Sequence, residues 1–221
     1  MVGRIVLAAV AAVMTSVVPM SAMASEASPT TNPLAHRSSA QAATPSVAAT
    51  MATDRVLGRA DAPITIIEYA SFTCSHCAVF NNDVLPELKK RYIDTGKAKL
   101  IFRDLPTAPV QVSASLAALA RCSAPGKFFD VAEHLMRGQE NAFRSNNIES
   151  WMRGAIPLSG RTEAQLLECM STQSMRDTLN SDVQAASSSG INGTPTLFVN
   201  GTHVANPNLE GMVAAITPLL P

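Results

Sequence analysis

Ile64-Thr65-Ile66-Ile67-Glu68-Tyr69-Ala70-Ser71-Phe72-Thr73-Cys74-Ser75-His76-Cys77 joins an apolar run to a polar turn that ends in two cysteines separated by two residues. A short β-branched run of this kind reads as a buried strand. Beyond it, Ala78, Val79, Phe80, Val84, Leu85, Leu88 and Tyr92 recur near a helical period through Ile93. Two thiols at Cys-x-x-Cys spacing on a strand-to-helix turn are the chemistry of a redox-active disulfide.

Outward from that turn, Asp61-Ala62-Pro63 stops the chain just before the strand, and Asp94-Thr95-Gly96 ends the helix. Lys99-Leu100-Ile101-Phe102-Arg103 then reads as a second strand, closed by Pro106. Strand, helix and strand in this order imply a parallel pair with a right-handed crossover. Helical patterns over 109–121, 128–139, 148–155 and 162–187 follow with no strand between them. Thr196-Leu197-Phe198-Val199 returns to strand character, Asn200-Gly201 is a pair favoured in tight hairpins, and Thr202-His203-Val204 runs back antiparallel. An amphipathic helix over 208–220 ends the chain. The order is β-α-β, a helical insertion over about 108–188, then β-β-α, an α/β fold.

With 221 residues, 47% of them apolar, the chain can bury one sizeable core, or a core with a lid subdomain, and one domain is expected over 54–221. The formal net charge is zero and no basic block is interleaved with aromatics, which argues against nucleic acid as a partner. Arg4, an apolar stretch over 5–20 and Ser21-Ala22-Met23-Ala24 have the form of a secretory signal, 1–24, cleaved after Ala24. The alternative is a retained anchor, for which the apolar run is shorter than the ~20 residues a span needs. A cleaved signal places the mature chain in an oxidising compartment, the periplasm, where disulfides persist. Residues 25–53 are rich in Ser, Ala, Thr and Pro and read as a disordered tether.

The chemistry begins with Cys74. A cysteine at the first turn of a helix faces unpaired backbone N–H groups and the positive end of the helix dipole, both of which favour thiolate. Cys74 is therefore the nucleophile, and Cys77, one turn in, the resolving thiol. An imidazole at His76, protonated or hydrogen-bonding, would favour the Cys74 anion further. Gly193-Thr194-Pro195-Thr196 precedes the third strand, and a cis bond at Pro195 would turn the Thr194 carbonyl and N–H outward to receive an extended substrate. A trans proline opening a strand is the alternative; beside the upstream Cys-x-x-Cys, the cis form is expected.

Three stretches together resemble the DsbA-like thiol:disulfide oxidoreductases. They are the run from Glu68 through Cys77, the run Ala120-Arg121-Cys122 with Gly126-Lys127-Phe128-Phe129, and the run Gly190-Ile191-Asn192-Gly193-Thr194-Pro195-Thr196-Leu197-Phe198-Val199-Asn200-Gly201. The resemblance covers about 55–220. It implies a thioredoxin-like fold with an inserted helical subdomain, oxidation of cysteines in newly exported or unfolded proteins, and reoxidation by a DsbB-like, quinone-linked membrane partner. No further cofactor is implied. Glu68 matches the family's buried acid beneath the active site, which helps proton transfer from the resolving cysteine. A strand glutamate ion-paired with Arg103 is the alternative. The chain departs from the enteric member of the family, which has Pro at the Ser75 position and Val at the Thr194 position; potential and partner choice are where those hydroxyls would act.

Of the four cysteines, the pairing that leaves Cys74 with Cys77 also leaves Cys122 with Cys169, a structural cross-link within the insertion. It would close a loop of about 50 residues, worth up to ~4 kcal/mol in the chain-entropy model. Two buried free thiols are the alternative, disfavoured in an oxidising compartment. No metal is expected: structural zinc uses two close-spaced ligand pairs and one is present. His134, His203 and the Phe128-Phe129 pair read as filling the insertion and sheet edge, Met170 and Met175 as helix packing. The tether is too short and polar for a dimerisation module, so a monomer with oxidase bias is expected. An isomerase or reductase of the same superfamily competes with this reading. So does a different class, a redox-inert or metal-handling binding module.

Overall fold

The computed structural model describes residues 50–220. The leader expected over 1–24 and nearly all of the tether expected over 25–53 lie outside the described residues. Five strands form one mixed sheet: β1 (Arg55–Leu57), β2 (Ile64–Ala70), β3 (Ala98–Asp104), β4 (Thr196–Val199) and β5 (Thr202–Val204), in the order β1-β3-β2-β4-β5. β2 and β3 are parallel, with Glu68 opposite Phe102, and β4 lies antiparallel on the other side of β2, with Leu197 opposite Glu68. β2 is therefore flanked by strands on both sides and nearly all of its residues are buried, which is why it reads as a continuous apolar run rather than an alternation. The hairpin between β4 and β5 turns on Asn200 and Gly201, both at positive φ (45° and 81°), as a two-residue turn of this kind requires.

The crossover from β2 to β3 is one helical path with two changes of pitch: α1 (Ser75–Val79), a π turn (Phe80–Val84), α2 (Leu85–Leu88) and a second π turn (Lys89–Ile93). Pro86 explains the first widening. It offers no N–H and its ring crowds the carbonyl one turn back, and an inserted π turn relieves both. Phe80, Val84, Leu88, Tyr92 and Ile93 bury against Ile64, Ile66 and Leu100 on one face of the sheet, joined there by α8 (Leu209–Ile216) through Met212 and Ile216. The opposite face carries Ile67, Tyr69, Ile101 and Phe198.

The insertion comprises α3 (Val110–Arg121), α4 (Phe128–Arg144), α5 (Ile148–Ala155), α6 (Glu163–Met170) and α7 (Gln173–Ser188). Leu116, Val131, Leu135, Met136, Trp151 and Leu166 form its core, continuous with Phe72 and Cys77 of the active-site turn. The single helix expected over 162–187 is broken in two. Thr172 adopts extended backbone and its side chain accepts from Met175 N, while Ser171 and Thr172 hydroxyls donate back to Glu168 O and Cys169 O. Such side-chain bonds cap a new helix in place of continuing the old one. Helix α4 runs five residues past the expected end, to Arg144.

Arg103 does not pair with Glu68: it donates to both carboxylate oxygens of Asp54, at 2.7 and 3.0 Å, and to the Tyr69 hydroxyl. By strand alternation Arg103 and Glu68, one residue out of register, face opposite sides of the sheet. Packed structure also begins ahead of Asp54. The Thr53 hydroxyl donates to Asp182, and the Thr53 carbonyl accepts from Arg121, which itself pairs with Asp104 and Asp182 in a buried cluster.

Candidate active site

The end of β2 delivers the chain into a tight polar knot before it reaches Cys74. The buried Ser71 hydroxyl accepts from Thr73 N and Thr107 N, each at 3.2 Å, and shares a 2.7 Å bond with the Ser113 hydroxyl of α3. The turn thus arrives at α1 with its direction set by buried hydrogen bonds, which are costly to leave unmade.

Cys74 is the N-cap of α1, in extended backbone, half-buried. Its thiol is pushed down to about 5, chiefly by a hydrogen bond from the Cys77 thiol, with burial opposing and the Thr194 side chain and the backbone N–H groups of Cys77 and His76 assisting. This is helix N-terminal chemistry realised at atomic range. Cys77 is buried, and its thiol is pushed far up, first by burial, then by its bond to Cys74 and by the negative charges of Glu68 and Cys74. His76 is exposed, and what it brings to the Cys74 sulfur is its backbone N–H.

The β4 end of the site comes from 120 residues away. The Thr194–Pro195 peptide is cis, and the Cys74 thiol donates to the Thr194 carbonyl oxygen at 3.2 Å. The Thr194 hydroxyl is buried with no hydrogen-bond partner of its own. A second cis bond, Ala108–Pro109, was not signalled by the sequence reading and lies at the start of α3.

Glu68 is fully buried. Burial pushes its carboxyl up to about 8, helped by the Cys74 charge and opposed by a hydrogen bond from Asn81. Asn81 Nδ2 donates to Glu68 Oε1 at 2.7 Å and to the Cys77 carbonyl at 3.0 Å; Oε2 has no partner. Asn81 was missed by sequence reading. Its signal was present: it lies four residues after Cys77, on the same helix face, an amide where the pattern is otherwise apolar. Gln139 was missed too. It reaches from α4 to donate to Phe72 O and Cys74 O.

Cys122 and Cys169 are joined by a disulfide with Cα atoms 5.9 Å apart, tying the end of α3 to the end of α6. His134 bonds the Trp151 carbonyl inside the insertion, and His203 packs on Phe198 at the sheet edge. Among the described residues no three His, Cys, Asp or Glu side chains are grouped to hold a metal ion.

The family model described as Thioredoxin matches residues 50–217. The chain belongs to the thioredoxin family. Within that family it is DsbA-like. It is similar to Wolbachia pipientis α-DsbA1, with 27% identity and a TM-score of 0.67 over 77% of this chain and 92% of that one. Bacillus subtilis BdbD shares the fold at a TM-score of 0.69 and 22% identity, over 80% of this chain and 97% of that one. A Rickettsia bellii protein named for protein-disulfide oxidoreductase activity is 32% identical over 165 residues, which are 74% of this chain and 63% of that protein. A Bacillus cereus protein named for disulfide bond formation is 27% identical over 173 residues, 74% of this chain and 77% of that one. The DsbA-like chain thus spans under two thirds of its rickettsial relative's length. Among its described residues, no helix is long and apolar enough to cross a membrane.

Proposed function

We propose that this DsbA-like protein is a periplasmic thiol:disulfide oxidoreductase that introduces disulfides into exported proteins. The observation that carries the reading is the contrast in placement between the two sulfurs: Cys74, half-buried at the N-cap of α1 and 3.2 Å from the carbonyl of the cis Thr194–Pro195 peptide, sits where an anion is favoured, and Cys77, buried behind it, where a thiol is. Stabilising the reduced pair makes the Cys74–Cys77 disulfide an oxidant.

In the forward reaction a substrate thiolate attacks Cys74 Sγ, forming a mixed disulfide as the Cys74–Cys77 bond breaks. Cys77 leaves with the electron pair and takes a proton. Glu68, with its carboxyl near 8, carries that proton at neutral pH and donates it. The second substrate thiolate then attacks the substrate sulfur of the mixed disulfide, and Cys74 departs as thiolate. The substrate loses two electrons and the enzyme gains them. Thr194 and Pro195 form the substrate-binding edge, the Thr194 backbone pairing with an extended segment while its sulfur meets Cys74.

The same reading takes Cys122–Cys169 as a structural cross-link and 1–24 as a cleaved signal ahead of a tether. It takes the mature chain as a monomer reoxidised by a DsbB-like, quinone-linked membrane partner. Support comes from DsbA-like kinship and from an insertion core that encloses Cys77.

The test is a glutathione redox titration of the reduced pair together with a Cys77→Ser trap. An oxidising midpoint and covalent substrate adducts at Cys74 are expected. A midpoint near that of thioredoxin would point instead to a reductase, and an absence of adducts would sink the mechanism.

A further inference from the structure

We propose that Gln139 ties the insertion to the catalytic turn and thereby keeps the Cys74 sulfur in front of the backbone N–H groups of His76 and Cys77. Gln139 is 3% exposed on the inner face of α4. Its single amide nitrogen donates at 2.8 Å to the Phe72 carbonyl and at 3.1 Å to the Cys74 carbonyl, the two residues that bracket Thr73. Both protons of the amide are thus used on one turn. The Cys74 carbonyl also accepts the first helical bond of α1, from Ala78 N at 3.1 Å, so Gln139 grips the very peptide from which the helix starts.

On the other flank the turn is anchored by Ser71 to Ser113 and Thr107. Gln139 supplies the opposing anchor. Phe72 is fully buried, and without the amide its carbonyl would be left to find another partner by rotating the turn. Such a rotation moves the sulfur off the helix axis, where the field of the first-turn N–H groups falls away within a turn. The groups facing Cys74 are the Cys77 thiol, the Thr194 carbonyl and side chain, the two backbone N–H groups and, behind them, Glu68. Gln139 touches none of these; it is a positioning residue, and the inference rests on the reading of Cys74 as the nucleophile.

The experiment follows thiolate absorbance against pH in the reduced wild-type protein, in Gln139→Met, in Gln139→Leu and in Met136→Leu, each with its thermal unfolding midpoint. Met136 is a buried α4 neighbour with no N–H in its side chain, so its substitution reports general loosening of the helix. Gln139→Met keeps the shape and removes both donors. The expected result is a Cys74 acid dissociation constant weakened about tenfold or more, one pH unit, in Gln139→Met. Met136→Leu should leave the titration in place. Gln139→Leu, which also removes both donors and adds no charge beside Cys74, is read in the same way and decides the matter if Gln139→Met does not fold. An unchanged titration in the Gln139 variants, or an equal shift in Met136→Leu, overturns the inference and leaves the oxidase reading standing. A wild-type Cys74 that titrates as an ordinary thiol overturns both.

Discussion

The Cys74 thiol and the Thr194 carbonyl oxygen lie 3.2 Å apart, although 120 residues separate them in the chain. The contact belongs to the protonated sulfur. When Cys74 ionises it can no longer donate, and the partnerless Thr194 hydroxyl joins the Cys77 thiol, the leading group, in favouring the anion.

Thr194→Val keeps the backbone and removes the hydroxyl. The Cys74 titration should move upward, by about one unit at most, since Thr194 ranks behind the Cys77 thiol among the groups that favour the anion. The measurement is thiolate absorbance against pH in the reduced protein. A downward shift would show that the hydroxyl opposes the anion.

The pH dependence of the reduction potential should break near pH 5. Below that value, reduction of the Cys74–Cys77 disulfide takes up two protons; above it, Cys74 stays ionised while Cys77 is protonated. At about 30 mV per proton for a two-electron couple, the slope should fall from about 60 to about 30 mV per pH unit. The linked stability has a definite sign. The folded thiol lies below its unfolded value of ~8.5, so the thiolate's contribution to the reduced protein is complete above ~8.5 and is lost as pH falls toward 5. Redox titrations at several pH values check the break, and a slope that stays near 60 mV to neutral pH would contradict it.

Glu68→Gln should stabilise the protein while impairing proton delivery to Cys77. The folded carboxyl is raised from 4.5 to about 8, so its ionisation opposes folding increasingly as pH rises between those values. Removing it should add ~1–3 kcal/mol at pH 7 and flatten the stability profile between pH 5 and 8. Chemical denaturation across that range, beside stopped-flow thiol exchange, separates the two effects.

Asn81→Leu should act in the opposite sense on stability. It removes the donor at 2.7 Å from Glu68 Oε1 and leaves both carboxyl oxygens without partners, costing about 1–3 kcal/mol. The Glu68 titration, followed by the carboxyl stretch in difference infrared spectra, should move higher. A stable variant with an unmoved Glu68 would remove Asn81 from the site.

The double substitution Cys122→Ala with Cys169→Ala opens a cross-link spanning 47 residues and should cost ~2–4 kcal/mol. The Cys74–Cys77 potential should stay where it is, because neither bridge cysteine is among the groups that act on Cys74 or Cys77. Denaturation and redox titration of one preparation test both halves.

Much of this site could be read along the chain because its decisive parts are local. The Cys-x-x-Cys turn needs a strand before it and a helix after it, and both announce themselves by period. Pro195 and the Asn200-Gly201 turn are equally short-range signals. The misses have different causes. β1 is three residues long and exists only through pairing with β3. The break before α7 turns on whether the Ser171 and Thr172 hydroxyls cap or stay in the helix, a choice between two local options of similar energy. Arg103 finds Asp54 instead of Glu68 because the pleat sends neighbouring positions to opposite faces.

What the amino-acid order carried alone was the location of the two sulfurs, the order of elements around them and the expectation that Cys74 would ionise, since helix starts and strand runs are written in nearest neighbours. What needed the folded chain was everything set by approach through space: Thr194 against Cys74, Asn81 under Glu68 and Gln139 across the turn. Hydrogen bonds reach about 3 Å. Which distant residues come within that reach is a property of how the sheet and the insertion pack, and no local pattern encodes it.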